Sequence, residues 1–140
     1  MKKGIETGYK FKYPVKFSQK EVEGFSMITG DNNPIHLDHE YASRTKFKKP
    51  IVHGMLSASV FSKVFGTIFP GEGSIYISQE INFKGPVYVD RSYSAEFEVM
   101  EVDHFRGIAL IKCALFDENL KACTIGNARV MNKESFAFIK

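Results

Sequence analysis

The segment from Gly54 to Phe69 constrains the fold of this chain more than any other. Met55, Leu56, Ala58, Val60, Phe61, Val64, Phe65, Ile68 and Phe69 are spread around nearly the whole circumference of a helix. A helix apolar on most sides has to be enclosed by other structure. Pro70-Gly71 ends it, because proline cannot continue a helix and disfavours helical geometry just before itself. From Ser74 onward the period changes to two. Ile75, Ile77, Ile81 and Phe83 mark one extended stretch, which Gly85-Pro86 interrupts. Tyr93, Ala95, Phe97 and Val99 alternate with Ser92, Ser94, Glu96 and Glu98, as in a strand with one wet face. Two further strands are expected from Ile108 to Phe116 and from Ala122 to Met131, separated by Asp117-Glu118-Asn119. Burying so apolar a helix calls for a curved antiparallel sheet wrapped around it, an α+β architecture with a meandering second half. Such a sheet leaves an open edge, on which a second copy of the chain is expected to pair.

The first half reads as helical after an early strand. Aromatic and aliphatic residues alternate with lysine from Lys10 to Phe17. Ser18-Gln19-Lys20-Glu21 is a capping box, in which the Ser18 hydroxyl accepts from the Glu21 amide and the Glu21 carboxylate reaches back. The helix that follows, about ten residues long, stops at Gly30. Asp31 to Pro34 cannot extend it, and a second short helix is expected near Glu40 to Thr45.

Composition narrows the class. The chain is one domain of 140 residues, 44% apolar and 25% charged, a globular profile. No window approaches the length of an apolar membrane span. The start, Met1-Lys2-Lys3-Gly4-Ile5-Glu6, has charge with no apolar core behind it, so no signal peptide is expected. Cys113 and Cys123 lack CxxC spacing and read as reduced packing residues of a cytoplasmic protein. A net charge of +3, with no basic block, gives no footprint for nucleic acid.

Chemistry concentrates in Ile28-Thr29-Gly30-Asp31-Asn32-Asn33-Pro34-Ile35-His36. A carboxylate and an imidazole stand five residues apart on a chain stiffened by Pro34. An acid–base pair needs two groups fixed on one reacting centre, which a proline-locked turn supplies better than a flexible loop. Asp31 is placed to hold or deprotonate a water that His36 shares, His36 managing the second proton. Asn33 either orients one of them or braces the turn. Turn chemistry alone also explains the motif, so spacing by itself leaves both readings open.

Thr29 to His36, followed by Ala42, resembles the signature of the MaoC-like, or hydratase 2, family of (R)-specific enoyl-CoA hydratases. Pro50-Ile51-Val52-His53-Gly54-Met55-Leu56 is similar to that family's second block, and Gly73-Ser74-Ile75-Tyr76 with Phe83-Lys84-Gly85-Pro86-Val87 to its third. The length matches the short single-domain bacterial members that feed polyhydroxyalkanoate synthesis. The resemblance implies a hotdog fold, a long central helix wrapped by an antiparallel sheet and paired as a homodimer. It implies syn addition of water to a trans-2-enoyl-CoA, giving a (3R)-3-hydroxyacyl-CoA, with no metal or redox cofactor and coenzyme A entering only as the substrate's carrier. By position it makes Asp31 and His36 the catalytic pair, puts Asn33 at the family's asparagine, and gives the Gly54 amide the task of polarising the thioester carbonyl. That last role has independent physical sense, because a helix N-terminus favours negative charge. Ser62, eight residues along the helix and close to the Gly54 face, is placed to hydrogen-bond Asp31 or is simply a small helix residue, and the resemblance implies a serine here. One departure stands after Val89, where the family shows Gly-Asp and this chain has Asp90-Arg91.

Phe65 is expected in the core or, if it lines an acyl tunnel, as a residue that shortens it. Lys84 and Arg91 are candidates to meet coenzyme A phosphates. His53 reads as structural, and His39 and His104 as solvated. Dehydration of 3-hydroxyacyl groups on acyl carrier protein, thioester hydrolysis, and a non-catalytic acyl-CoA-binding module are the competing readings. A pure binder has no need of a poised acid–base pair.

Overall fold

The computed structural model describes residues 4–138. Its elements run β1 (Lys10–Val15), α1 (Gln19–Thr29), α2 (Pro34–Leu37), α3 (His39–Ser43), α4 (Gly54–Thr67), β2 (Ile75–Phe83), β3 (Tyr93–Asp103), β4 (Ile108–Phe116), β5 (Ala122–Met131) and α5 (Lys133–Phe136). The strands form one antiparallel sheet in the order β1-β3-β4-β5-β2. Helix α4 buries Ser57, Ala58, Val60, Phe61, Val64 and Phe65 as the sheet closes around it. This is the hotdog arrangement.

The alternation in β3 does what its pattern requires: Tyr93, Ala95, Phe97 and Val99 are all buried. Phe61 and Phe65 from α4 meet Phe97 edge-on, with ring centroids 5.8 and 5.3 Å apart. Helix α1 begins at the expected capping box, Glu21 N–H donating to Ser18 Oγ (3.1 Å) and Ser18 N–H to Glu21 Oε1 (2.9 Å). It ends at Gly30, in the left-handed conformation at φ 79°.

Three expectations need correction. Helix α4 is not enclosed on every side: Met55, Ser59, Ser62 and Gly66 form an exposed stripe at helical spacing. The second half is not a simple meander, because β2 crosses to the far edge and pairs with β5 instead of β3. The Lys84–Ser92 connection carries that crossing, and Gly85-Pro86 within it cannot supply a continuous ladder. His104 is not solvated. Its side chain is 13% exposed, with Nδ1 2.6 Å from the Phe136 carbonyl and its ring stacked on Phe138.

Asp90, where the resembling family has glycine, sits at φ 61°. Aspartate tolerates this left-handed conformation better than most residues. The departure therefore leaves the turn intact, with Asp90 N–H donating to the Phe17 carbonyl at 2.8 Å.

Candidate active site

The bend after α1 is built by short-range hydrogen bonds. Thr29 Oγ1 accepts from Asp31 N–H at 3.2 Å, and the Asp31 carboxylate accepts from Asn33 N–H at 3.4 Å. Asn33 then caps α2, its Oδ1 accepting from Ile35 N–H at 3.3 Å, and Pro34 fills the first helical position. Of the two roles open to Asn33, the structure shows the brace. Proline therefore starts the one-turn helix α2, and His36 is carried on it to a buried position.

The His36 ring is fixed on both sides. Nδ1 lies 2.7 Å from the Ile51 carbonyl. A carbonyl only accepts, so Nδ1 carries the hydrogen and Nε2 keeps its lone pair. One face of the ring stacks on His53, with centroids 3.9 Å apart and planes 29° from parallel. Side-chain donor atoms of Asp31, His36 and His53 all lie within 4.8 Å of one another. That separation lets one water touch the Asp31 carboxylate and the His36 ring together.

Helix α4 enters the same cleft with its positive end. His53 is its N-cap residue and makes no side-chain cap bond, while Ser57 N–H returns to the His53 carbonyl at 3.0 Å. The Gly54 amide is thus at the helix start, among amides that look for an acceptor. A Cβ at Gly54 would stand 2.9–3.0 Å from the Phe83 ring, so close packing as well as backbone access favours glycine. Ser57 donates to the Gly54 carbonyl at 2.6 Å and meets Thr124 Oγ1 at 3.0 Å, tying this turn to β5.

These groups open onto a cavity of about 510 Å³ lined by Asp31, His36, His53, Gly54, Phe83 and Lys84, among others. The remaining expected site residues lie elsewhere. Ser62 is on the exposed stripe of α4 and outside this cavity's lining; the helix serine that reaches the site is Ser57, which is buried. Phe65 is 1% exposed and packed between Phe97 and Tyr76, in the core and not in the cavity wall. Arg91 sits 4.4 Å over the Tyr88 ring and lines a separate cleft of about 420 Å³, which shares Gly85 and Pro86 with the first. Sequence reasoning gave the Ile51 carbonyl and Thr124 no role, because nothing local marks them; Ser57 carried a signal, one turn into the helix that Gly54 opens.

Asp31, His36 and His53 are the three groups that a metal ion would draw on. Their arrangement suits chelation poorly. Ring lone pairs lie in the ring plane, and two stacked rings aim them side by side instead of at one point. The thiols are packing groups: Cys113 and Cys123 are free and buried, and burial pushes Cys113 up to about 12.

Comparison with known proteins gives the family and the fold. The family model described as MaoC like domain matches residues 1–114. An (R)-specific enoyl-CoA hydratase of Aeromonas caviae is 40% identical over 126 residues, 90% of this chain and 94% of that protein. A 3-hydroxybutyryl-CoA dehydratase of Methylorubrum extorquens is 38% identical over 120 residues, covering 86% and 71% of the two chains. The solved structure of unliganded R-hydratase PhaJ1 from Pseudomonas aeruginosa superposes with a TM-score of 0.87 at 32% identity, over 97% of this chain and 87% of that one.

Proposed function

This chain belongs to the MaoC-like domain family, and on that premise we propose that it is a hydro-lyase adding water to trans-2-enoyl-CoA to give (3R)-3-hydroxyacyl-CoA. One observation carries the proposal: the Ile51 carbonyl holds the Nδ1 hydrogen of His36, which leaves Nε2 as the free base of a ring that has a nitrogen within 4.8 Å of the Asp31 carboxylate. Asp31 and the His36 Nε2 both accept from one water. As the water oxygen bonds to C3 of the enoyl group, His36 takes its proton and the double-bond pair moves toward C2. Negative charge builds on the thioester oxygen, where the Gly54 amide and the α4 dipole receive it. The imidazolium then gives its proton to C2 from the same face. His36 ends the cycle neutral, and water's atoms are divided between C3 and C2. No step needs a metal or a redox cofactor.

Lys84 at the cavity rim, and Arg91 in the adjoining cleft, are assigned to the phosphorylated carrier. Ser62 and Phe65 keep no direct role in the single chain. The reading includes a homodimer formed through the free edge of β2, where Ile75, Tyr76 and Ile77 are 58%, 38% and 46% exposed. It also includes a cytoplasmic setting, which the unpaired thiols suit, and supply of 3-hydroxyacyl units for polyhydroxyalkanoate synthesis. Among the described residues no helix is long and apolar enough to cross a membrane.

The test is incubation with crotonyl-CoA, following loss of enoyl absorbance and resolving the product's chirality. The expected product is (3R)-3-hydroxybutyryl-CoA. Free thiol without hydroxyacyl product would establish thioester hydrolysis instead; turnover of crotonyl-acyl carrier protein alone would establish the carrier-protein dehydratase. Binding without absorbance loss would leave only a binding module.

A further inference from the structure

His53 has no assigned part in the chemistry, yet it touches both candidate catalytic residues, the backbone of Asp31 and the ring of His36. It is 2% exposed, at the junction of α4 with the bend that carries Asp31. Its Nε2 lies 3.1 Å from the Asp31 carbonyl and 3.0 Å from Ser26 Oγ on α1. The carbonyl accepts, so Nε2 carries the ring hydrogen and Nδ1 holds a lone pair. That Nδ1 is buried without a hydrogen-bond partner. An orphaned ring nitrogen is destabilising, and an apolar ring of like volume would fill the space without it. Stability alone therefore does not account for a histidine here.

Four contacts of the ring bear on the reaction. The Nε2–H fixes the backbone at Asp31, whose side chain is otherwise exposed and held by a single local bond. The Ser26 contact sets the ring's rotation from behind, and Phe25 packs on it at 4.7 Å. The ring also stacks on His36, with centroids 3.9 Å apart and planes 29° from parallel. We propose that His53 is a positioning residue, fixing Asp31 through its backbone carbonyl and supporting the imidazolium form of His36 through ring stacking. This rests on the assignment of Asp31 and His36 as the acid–base pair. A neutral ring face stabilises a cation stacked on it, whereas a second cation would oppose it. Burial lowers the pKa of His53, outweighing the hydrogen bond to Asp31, and so favours its neutral form. The other ionisable groups lining the cavity are Asp31, Lys46 and Lys84, so the pH dependence is read as a difference between variants that keep all three.

Two substitutions separate the contacts. His53→Phe keeps a ring face and loses the donor; His53→Gln keeps a donor and loses the ring. With crotonyl-CoA, His53→Phe is expected to lower kcat about ten- to a hundredfold through misplacement of Asp31, with KM within about threefold of wild type. His53→Gln is expected to shift the His36-controlled limb of the kcat–pH profile about half a unit toward acid, because the cation loses its stacked support. Both should melt as cooperatively as wild type. Wild-type kcat and pH profiles in both variants would overturn the proposal. So would a loss of kcat in both that follows a fall in Tm with the pH limb unmoved, since that is packing alone. Failure of the underlying reading is seen separately, as absence of hydration by the wild-type protein.

Discussion

At the scale of single residues, the candidate pair was legible because proline, asparagine and glycine mark a rigid bend wherever they stand. What the bend lacked in sequence was its tautomer. The hydrogen on His36 Nδ1 is set by the Ile51 carbonyl, fifteen positions away and carrying no side-chain signature. Distance also hid the real environment of His53, read simply as structural: only the fold shows it stacked on His36 and bonded to Asp31. Ser62 shows the opposite failure. It was placed near Asp31 by its spacing from Gly54, while the turn of α4 puts Ser57 at the cleft and Ser62 outside it. The buried, neutral His53 makes a stability prediction with a definite sign. Its pKa in the fold is below the ordinary 6.5, so below that pH the unfolded chain binds a proton that the folded chain refuses. Stability from this group is complete above pH 6.5 and declines as pH falls toward the lower folded value, by at most about 1.4 kcal/mol per pH unit. Thermal melts between pH 7.5 and about 5 should show a decline that is shallower in His53→Gln; equal slopes would contradict it.

At the scale of elements, the capping box, the left-handed Gly30 and the period-two stretches translated directly into α1 and the strands, because each rests on local geometry. Pairing is not local. Nothing within Ile75–Phe83 states that its neighbour is β5, and the crossing was therefore missed. The short helix α2 was missed for a related reason: Pro34 stops a helix from continuing and equally well begins one. The start of α4 allows a clean test of the Gly54 amide. His53 already has φ −54° and ψ 136°, the extended geometry that a following proline demands. Proline is also favoured at a helix's first position and lacks only the N–H. Gly54→Pro should keep the helix yet lower kcat for crotonyl-CoA about a hundred- to a thousandfold. Gly54→Ala keeps the amide and asks only that the Phe83 ring shift away from the added Cβ, so it should lose less. Equal losses in the two variants would assign the effect to crowding against Phe83.

At the scale of the whole molecule, one sheet curls around α4 and leaves β1 and β2 as edges. The β2 edge carries Ile75, Tyr76 and Ile77 in the open, a surface that a second copy would cover. Light scattering is expected to give twice the chain mass, and Ile75→Lys to shift it toward the single chain; a monomeric wild type would remove the dimer. The fold's larger effect is convergence. Bend, buried imidazole and helix start come from separate segments, and only their packing brings the candidate base, its water partner and the amide donor into one cavity. The most direct test of that convergence is the kcat for crotonyl-CoA hydration in Asp31→Asn and His36→Ala, each confirmed folded by its melting transition. Each variant should lose at least about a hundredfold, the scale of a general acid–base contribution, with substrate binding retained. Near-wild-type turnover in either would show that the shared water is not where the reaction happens.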